Sequence, residues 1–225
     1  MIGVLTYSVP HRKTYDTLCM MKALGYKNVK VFSKPFSYQK KYCPMIYHRP
    51  DVFCDITPDK LCSNLEYDYS KIESFDEINE PDNSIMLVCG AGLLPDTFIS
   101  KYKVINSHPG YVPNCRGLDA LKWAIYEDQP VGVTSHLVGD EIDAGYVIIR
   151  RIVPVYENDT FHRLAQRVYE EEIRVLVESI QHTNDELMYI SGDETMVHKR
   201  MPHNIEAVML KHFDEYKEKY VIKEK

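Results

Sequence analysis

The sequence predicts an α/β domain: a mostly parallel sheet flanked by helices, with a short helical appendage at its C-terminal end. Three observations predict it. Short apolar runs bounded by turn residues recur along the chain, at Ile2–Tyr7, residues 84–89 and residues 104–108, as buried strands do. The chain opens strand, loop, helix, strand, an order that sets successive strands parallel, in the manner of a Rossmann-like unit. The 225 residues, 44% hydrophobic and 27% charged, suffice for one sizeable domain and a short appendage but not for two full domains.

The elements follow in order. Ile2–Tyr7 is the first strand, and Thr14 caps a helix running to about Leu24, closed by Gly25. N-V-K-V-F at 28–32 is the second strand. Residues 33–83, rich in Tyr, Lys, Pro, Cys and Asp, read as short helices and loops. The apolar strand 84–89 leads into a turn at 90–95 and a short helix over 96–102. Strand 104–108 follows, then a helix over 118–126 spaced on Leu118, Leu121 and Ile125. Strands 131–138 and 146–155 flank the turn G-D-E-I-D-A-G, and Asp159 caps a long helix from Thr160 to about His182. Residues 1–190 thus form the main domain, and 191–225 a tail with one amphipathic helix built on Pro202, Ile205, Val208, Met209 and Phe213.

Charge and composition exclude some classes. A formal net charge of −6 disfavours general nucleic-acid binding. No apolar run reaches the length of a membrane span, and the N-terminal residues lack the order of a signal peptide, so a cytoplasmic protein is expected. Cys19, Cys43, Cys54, Cys62, Cys89 and Cys115 form no C-x-x-C pair and fit no zinc spacing, so free thiols and no metal are expected.

The chemistry concentrates in V-I-N-S-H-P-G-Y-V-P-N-C-R-G, from Val104. Alternate strand residues share a face, so Asn106 and His108 point the same way at the carboxyl end of a central strand, where open α/β sheets bind ligands. The turn 139–145 can deliver Asp143 to His108. A carboxylate favours the protonated imidazole, and an imidazolium and an amide stabilise an oxyanion. The carboxylate accepts a proton directly or through water. The trio suits acyl transfer to an external amine, and no G-x-S-x-G elbow offers a serine nucleophile.

N-S-H-P-G-Y-V-P-N-C-R-G followed by D-E-I-D-A-G-Y-V-I resembles the family of formyltransferases that use 10-formyltetrahydrofolate. Asn106, His108, Pro113, Arg116, Gly117 and Asp143 fall on its pattern, over residues 84–155. The resemblance implies that Asn106 and His108 polarise the formyl carbonyl. Asp143 then keeps the His charged and helps take the proton from the amine. It further implies that the folate lies against Cys89, Gly90, Leu93, Leu94, Gly139, Asp140 and Ile142.

Three acceptors are familiar in that family. The first loop, Y-S-V-P-H-R-K, lacks the glycines of the enzymes acting on glycinamide ribonucleotide, and the short tail and acidic charge are unlike those acting on methionyl-tRNA. A nucleotide-linked amino sugar remains, with His11, Arg12 and Lys13 placed for a diphosphate at a helix start. His48 and Arg49 in Y-H-R-P add cation character, and Tyr38, Tyr42 and Tyr47 are available to stack. Arg116 positions substrate or braces its own loop. Asp140 and Glu141 also read as a solvated hairpin, Trp123 as core or interface, and His136, His162 and His182 as structural. The alternatives are a glycinamide-ribonucleotide enzyme, a 10-formyltetrahydrofolate hydrolase and a non-catalytic binding module. Proteins of that family often dimerise through C-terminal elements, so the apolar tail helix packs either on its own domain or on a second subunit in a homodimer, and the sequence leaves the two open; no nucleic-acid or membrane partner is expected.

Overall fold

The computed structural model describes residues 1–36, 43–49, 54–139, 142–192 and 196–222. Its strands are β1 (Ile2–Tyr7), β2 (Val29–Lys34), β3 (Asp68–Lys71), β4 (Ile85–Val88), β5 (Lys103–His108), β6 (Arg116–Gly117), β7 (Gly132–Leu137), β8 (Gly145–Ile152), β9 (Met188–Ile190) and β10 (Val197–His198). Its α-helices are α1 (Arg12–Ala23), α2 (Pro58–Leu65), α3 (Asp96–Lys101), α4 (Ala120–Tyr126), α5 (Phe161–His182) and α6 (His203–Tyr220).

Eight strands form one sheet in the order β3-β2-β1-β4-β5-β7-β8-β9, and β6 pairs with β10 in a separate small ladder. The five strands from β3 to β5 run parallel. From β5 onward the neighbours are antiparallel, because β7 and β8 form the expected hairpin and β9 adds to its edge. The chain builds outward from β1 through β2 to β3, then returns to the other side of β1 with β4. That reversal opens a crevice at the carboxyl ends of β1 and β4, where such sheets take ligands.

Both faces of the sheet are covered, which is why β1 and β4 read as continuous apolar runs. On one face α1, α2 and the C-terminal half of α5 bury Leu18, Met21, Leu61, Leu176 and Val177 against Val4 and Val31. On the other, Phe98 of α3 and Tyr102 pack with Leu5, Phe32, Met86 and Val104. A third cluster joins α4, α6 and the start of α5 through Leu121, Ile125, Phe161, Leu164, Met209 and Phe213. The tail helix is therefore part of the core, and its fully buried Glu206 pairs with the fully buried Lys122 of α4.

Several local expectations are revised. The residue preceding α1 is His11, and Thr14 lies inside the first turn, where its hydroxyl is bonded to Thr6 and His11. Thr160, not Asp159, caps α5 by accepting from the Arg163 amide. Asp159 instead accepts from the Tyr156 amide and pairs with Arg167. Helix α4 begins at Ala120 after Asp119 in a left-handed conformation, which leaves Leu118 outside and exposed. Strands β3, β6, β9 and β10 carried no apolar alternation: they are short or lie at a sheet edge, where one side faces water. The six cysteines are free thiols. Among the described residues no helix is long and apolar enough to cross a membrane.

Candidate active site

Strand β5 ends in Asn106, Ser107 and His108, at the junction of the parallel and antiparallel parts of the sheet. Asn106 and His108 both line a cavity of about 980 Å³ at the carboxyl ends of β1, β4 and β5, and Asp143 lines it too. Pro109 and Gly110 turn the chain back at once. A Cβ on Gly110 would sit 2.4 Å from the Cys115 carbonyl oxygen and 2.5 Å from His108 Nε2, so the turn requires glycine. The return brings the Cys115 carbonyl to 3.1 Å from His108 Nε2.

The β7–β8 hairpin supplies the carboxylate. Asp143 sits in the left-handed region at φ +47°, a conformation that Asp and Asn tolerate. Its Oδ2 lies 3.3 Å from His108 Nδ1 and accepts the Gly117 amide at 3.0 Å. Its Oδ1 lies 3.7 Å from Nε2 of His136, a ring on β7 whose other nitrogen is 3.1 Å from the Leu137 carbonyl. Arg116 ties the arrangement down. It is 2% exposed, its Nε donates to the Ile142 carbonyl at 2.9 Å, and a terminal nitrogen donates to the Gly192 carbonyl. The side chain thus joins the β6 segment, the hairpin and the tail.

The electrostatics oppose one another. Both nitrogens of His108 face acceptors, which only a doubly protonated ring satisfies. Burial penalises that charge and outweighs the pull of Asp143, so the pKa of His108 lies below its ordinary value. The attraction of Asp143 for a charged ring is thus opposed by burial of that ring. For Asp143, burial pushes upward, but His108, the nearby His136 ring and the Gly117 amide hold the carboxyl well below the usual range. Asp143 is ionised at neutral pH.

Of the residues predicted against the donor, Cys89, Gly90 and Ile142 line the cavity. A Cβ on Gly90 would stand 2.5 Å from the Tyr7 ring, so close approach there also depends on glycine. Leu93 is 98% exposed, Leu94 packs beside Phe98 and its neighbours, and Gly139 is exposed at the end of β7; none is among the lining residues. Asp140, Glu141, Tyr38 and Tyr42 lie outside the described residues.

The predicted acceptor residues divide. His11 lines the cavity, but burial and the nearby Lys13 and Arg49 lower its pKa to about 4. Arg12 lies outside the cavity lining, bonded to Asp16 at 2.5 Å and set over the Tyr169 ring. Lys13 is buried and donates to the Ser107 carbonyl at 3.1 Å and to Glu172 Oε1 at 2.9 Å.

Sequence reasoning missed four participants. They are His136 beside Asp143, the Cys115 carbonyl, buried Glu172 on α5, and the tail strand β10, which places residues 197–200 in the cavity wall. Only His136 left a trace: opposite Asn106 in the β5–β7 register, it alternates with Thr134. Trp123, read as core or interface, stacks on His198, and its indole donates to the Lys199 carbonyl at 2.8 Å, pinning the tail strand.

An amide, an imidazole and an ionised carboxylate at the switch-point edge of an α/β sheet can stabilise charge that develops on a group in transfer. The chain belongs to the formyl transferase family, whose model matches residues 26–180. The trifunctional purine biosynthetic protein adenosine-3 of Chironomus tentans is 33% identical over 121 residues, covering 50% of this chain but 9% of that protein. The present chain therefore spans about a tenth of such multifunctional relatives. Among solved structures, a sugar N-formyltransferase from Shewanella sp. covers 95% of this chain and 87% of its own at a TM-score of 0.58 and 17% identity. Phosphoribosylglycinamide formyltransferase from Streptococcus pneumoniae covers 80% and 96%, with a TM-score of 0.52 and 19% identity. At these identities the likeness is one of fold.

Proposed function

We propose that this protein transfers the formyl group of 10-formyltetrahydrofolate to the amine of a nucleotide-linked amino sugar, giving an N-formyl sugar and tetrahydrofolate. The observation that carries the reading is the convergence of Asn106, His108 and Asp143 on one cavity, from two separate elements. At about 980 Å³ that cavity is at the upper end of the range for a single small ligand, as two substrates require. Buried polar atoms of two lining residues, Ser107 Oγ and His48 Nδ1, lack hydrogen-bond partners, which fits a polar ligand such as a folate and an acceptor.

The donor supplies an activated one-carbon acyl group. Asn106, whose amide makes no hydrogen bond to a described residue, donates to the formyl oxygen. His108 stands beside that oxygen. Burial keeps its pKa low at rest, and negative charge growing on the oxygen raises it, so the ring is cationic when most needed. Asp143, ionised at rest, stabilises that cation; as the amine forms its bond to the formyl carbon the carboxylate takes the released proton, and the proton passes to N10 of the departing tetrahydrofolate as that C–N bond breaks.

For the acceptor, support comes from the first loop. It has no glycine, and the Tyr7 and His11 rings pack edge to face there at 5.5 Å. The sugar N-formyltransferase fold also accounts for 95% of the chain, tail included. Formylation of glycinamide ribonucleotide is the second reading, favoured by the purine-pathway relative. The test is purified protein with 10-formyltetrahydrofolate and a panel of nucleotide-linked amino sugars and glycinamide ribonucleotide, read by mass spectrometry. A 28-Da gain on an amino sugar is expected, since formyl replaces one hydrogen. A gain on the ribonucleotide alone selects the second reading, and rapid formate release without any amine selects hydrolysis.

A further inference from the structure

We infer that the acceptor's phosphates are seated by Arg49, on the loop before α2, and by Lys199 and Arg200 of the tail, and not by the start of α1. The identity of the anion as a diphosphate rests on the amino-sugar reading; the seat itself does not.

The start of α1 offers little free charge. Lys13 is 8% exposed and held between Glu172 and the Ser107 carbonyl, Arg12 faces Asp16 outside the cavity lining, and burial makes His11 neutral at neutral pH. The other segments lining the cavity, 47–49 and 197–200, are different. They meet at Asp119, whose Oδ1 lies 3.9 Å from His48 Nε2 and 3.4 Å from an Arg200 terminal nitrogen, and whose Oδ2 accepts the Met201 amide at 2.9 Å.

Arg49 is pre-set for an anion. Glu172, with its side chain 1% exposed, contacts the guanidinium at 3.1 Å and 3.5 Å, while the Arg49 side chain remains 44% exposed. A guanidinium carries five N–H donors, so those not engaged by Glu172 can face the cavity. Lys13 shares Glu172 and so acts on the anion only indirectly, by holding the carboxylate that orients Arg49. The Lys13–Glu172–Arg49 group keeps one net positive charge, and the Arg200–Asp119 pair is neutral. Lys199, exposed and without a side-chain partner among the described residues, adds a second. Two positive charges on this wall of the cavity, away from the Asp143 carboxylate on the catalytic side, match the two charges of a diphosphate diester. The unpartnered His48 Nδ1 lies in the same wall and adds a polar group.

Two features hold this seat to the core. The Glu206 carboxylate that pairs with Lys122 also accepts the Met45 amide at 2.8 Å, and His203 is 2.7 Å from the Cys43 carbonyl. The tail therefore supplies cations and also fixes the loop that carries Arg49.

The test is calorimetric titration of the full chain with pyrophosphate, and with inorganic phosphate for comparison, at low ionic strength. The variants are Arg49→Ala, Arg49→Lys, Lys199→Ala and Arg12→Ala, each checked for folding by urea denaturation. Pyrophosphate is expected to bind tighter than phosphate and to weaken with salt. Affinity should fall at least tenfold in the Arg49→Ala Lys199→Ala double variant, fall less in Arg49→Lys, and stay within twofold in Arg12→Ala. Lys199→Ala removes no side-chain contact to a described residue, so its several-fold loss counts even if Arg49→Ala is less stable. Unchanged affinity in the double variant, or no pyrophosphate binding by the parent, overturns the seat; so does loss confined to Arg12→Ala. The acceptor panel reads separately. If the parent formylates only glycinamide ribonucleotide, the sugar reading fails while the titration still decides the seat. If it formylates an amino sugar, KM should rise at least tenfold in the double variant with turnover within threefold.

Discussion

Replacing Asp143 by Asn isolates the charge of the carboxylate. Asn is nearly isosteric, tolerates the left-handed backbone at φ +47° and still offers an oxygen to the Gly117 amide, so the hairpin should keep its shape. What it loses is the attraction to a cationic His108. Unit charges 3.3 Å apart at an effective dielectric of about 20 interact by about 5 kcal/mol. The carboxylate shares its charge with the oxygen facing His136, which brings the loss to about 2.5–5 kcal/mol. At 1.36 kcal/mol per decade, turnover should fall roughly 10²- to 10⁴-fold. The assay is single-turnover formyl transfer under saturating donor, with donor affinity measured separately and expected within threefold of the parent. Turnover within tenfold of the parent, in a protein of unchanged stability, would show that Asp143 does not support charge on His108.

Three further outcomes follow from the packing. Gly110→Ala should abolish most activity while the protein stays folded, because the new Cβ would overlap the Cys115 carbonyl and His108 Nε2; normal kinetics would mean that His108 is not held as described. Lys122→Ala, which leaves Glu206 buried without its cation, should cost about 3–5 kcal/mol and lower Tm by about 10 °C in a chain of this size; a shift under 2 °C would count against the pair's burial. Stability should also fall between pH 6.5 and 4. Burial lowers the pKa of folded His11 and His48 to about 4, so the unfolded chain binds more protons in that window and stability rises with pH. His48→Gln should flatten the urea-midpoint profile there, by up to about 3 kcal/mol over the window. The depressed carboxyl of Glu172, at about 2 because Arg49 and Lys13 outweigh its burial, contributes stability above pH 4.5 that is lost only as pH falls toward 2.

The sequence by itself determined the parts whose signal is local. Apolar runs marked β1, β4, β5, β7 and β8, because strands buried on one or both faces must be apolar where they meet a helix layer. The order strand, helix, strand fixed the parallel start, and strand alternation put Asn106 and His108 on one face. The turn carrying Asp143 stood out because carboxylates between two apolar strands are conspicuous.

Only the tertiary structure decided the rest, because it depends on neighbours distant in sequence. Nothing local to Lys13 announces Glu172, 159 positions away, yet that carboxylate contacts both Lys13, predicted against a phosphate, and Arg49. The state of His108 is a balance of desolvation against Asp143, and desolvation is set by everything packed around the ring. The tail read as an appendage because an amphipathic pattern cannot say what its apolar face meets. Folding set that face on α4 and brought Lys199 and Arg200 to the cavity, a placement fixed by long-range packing.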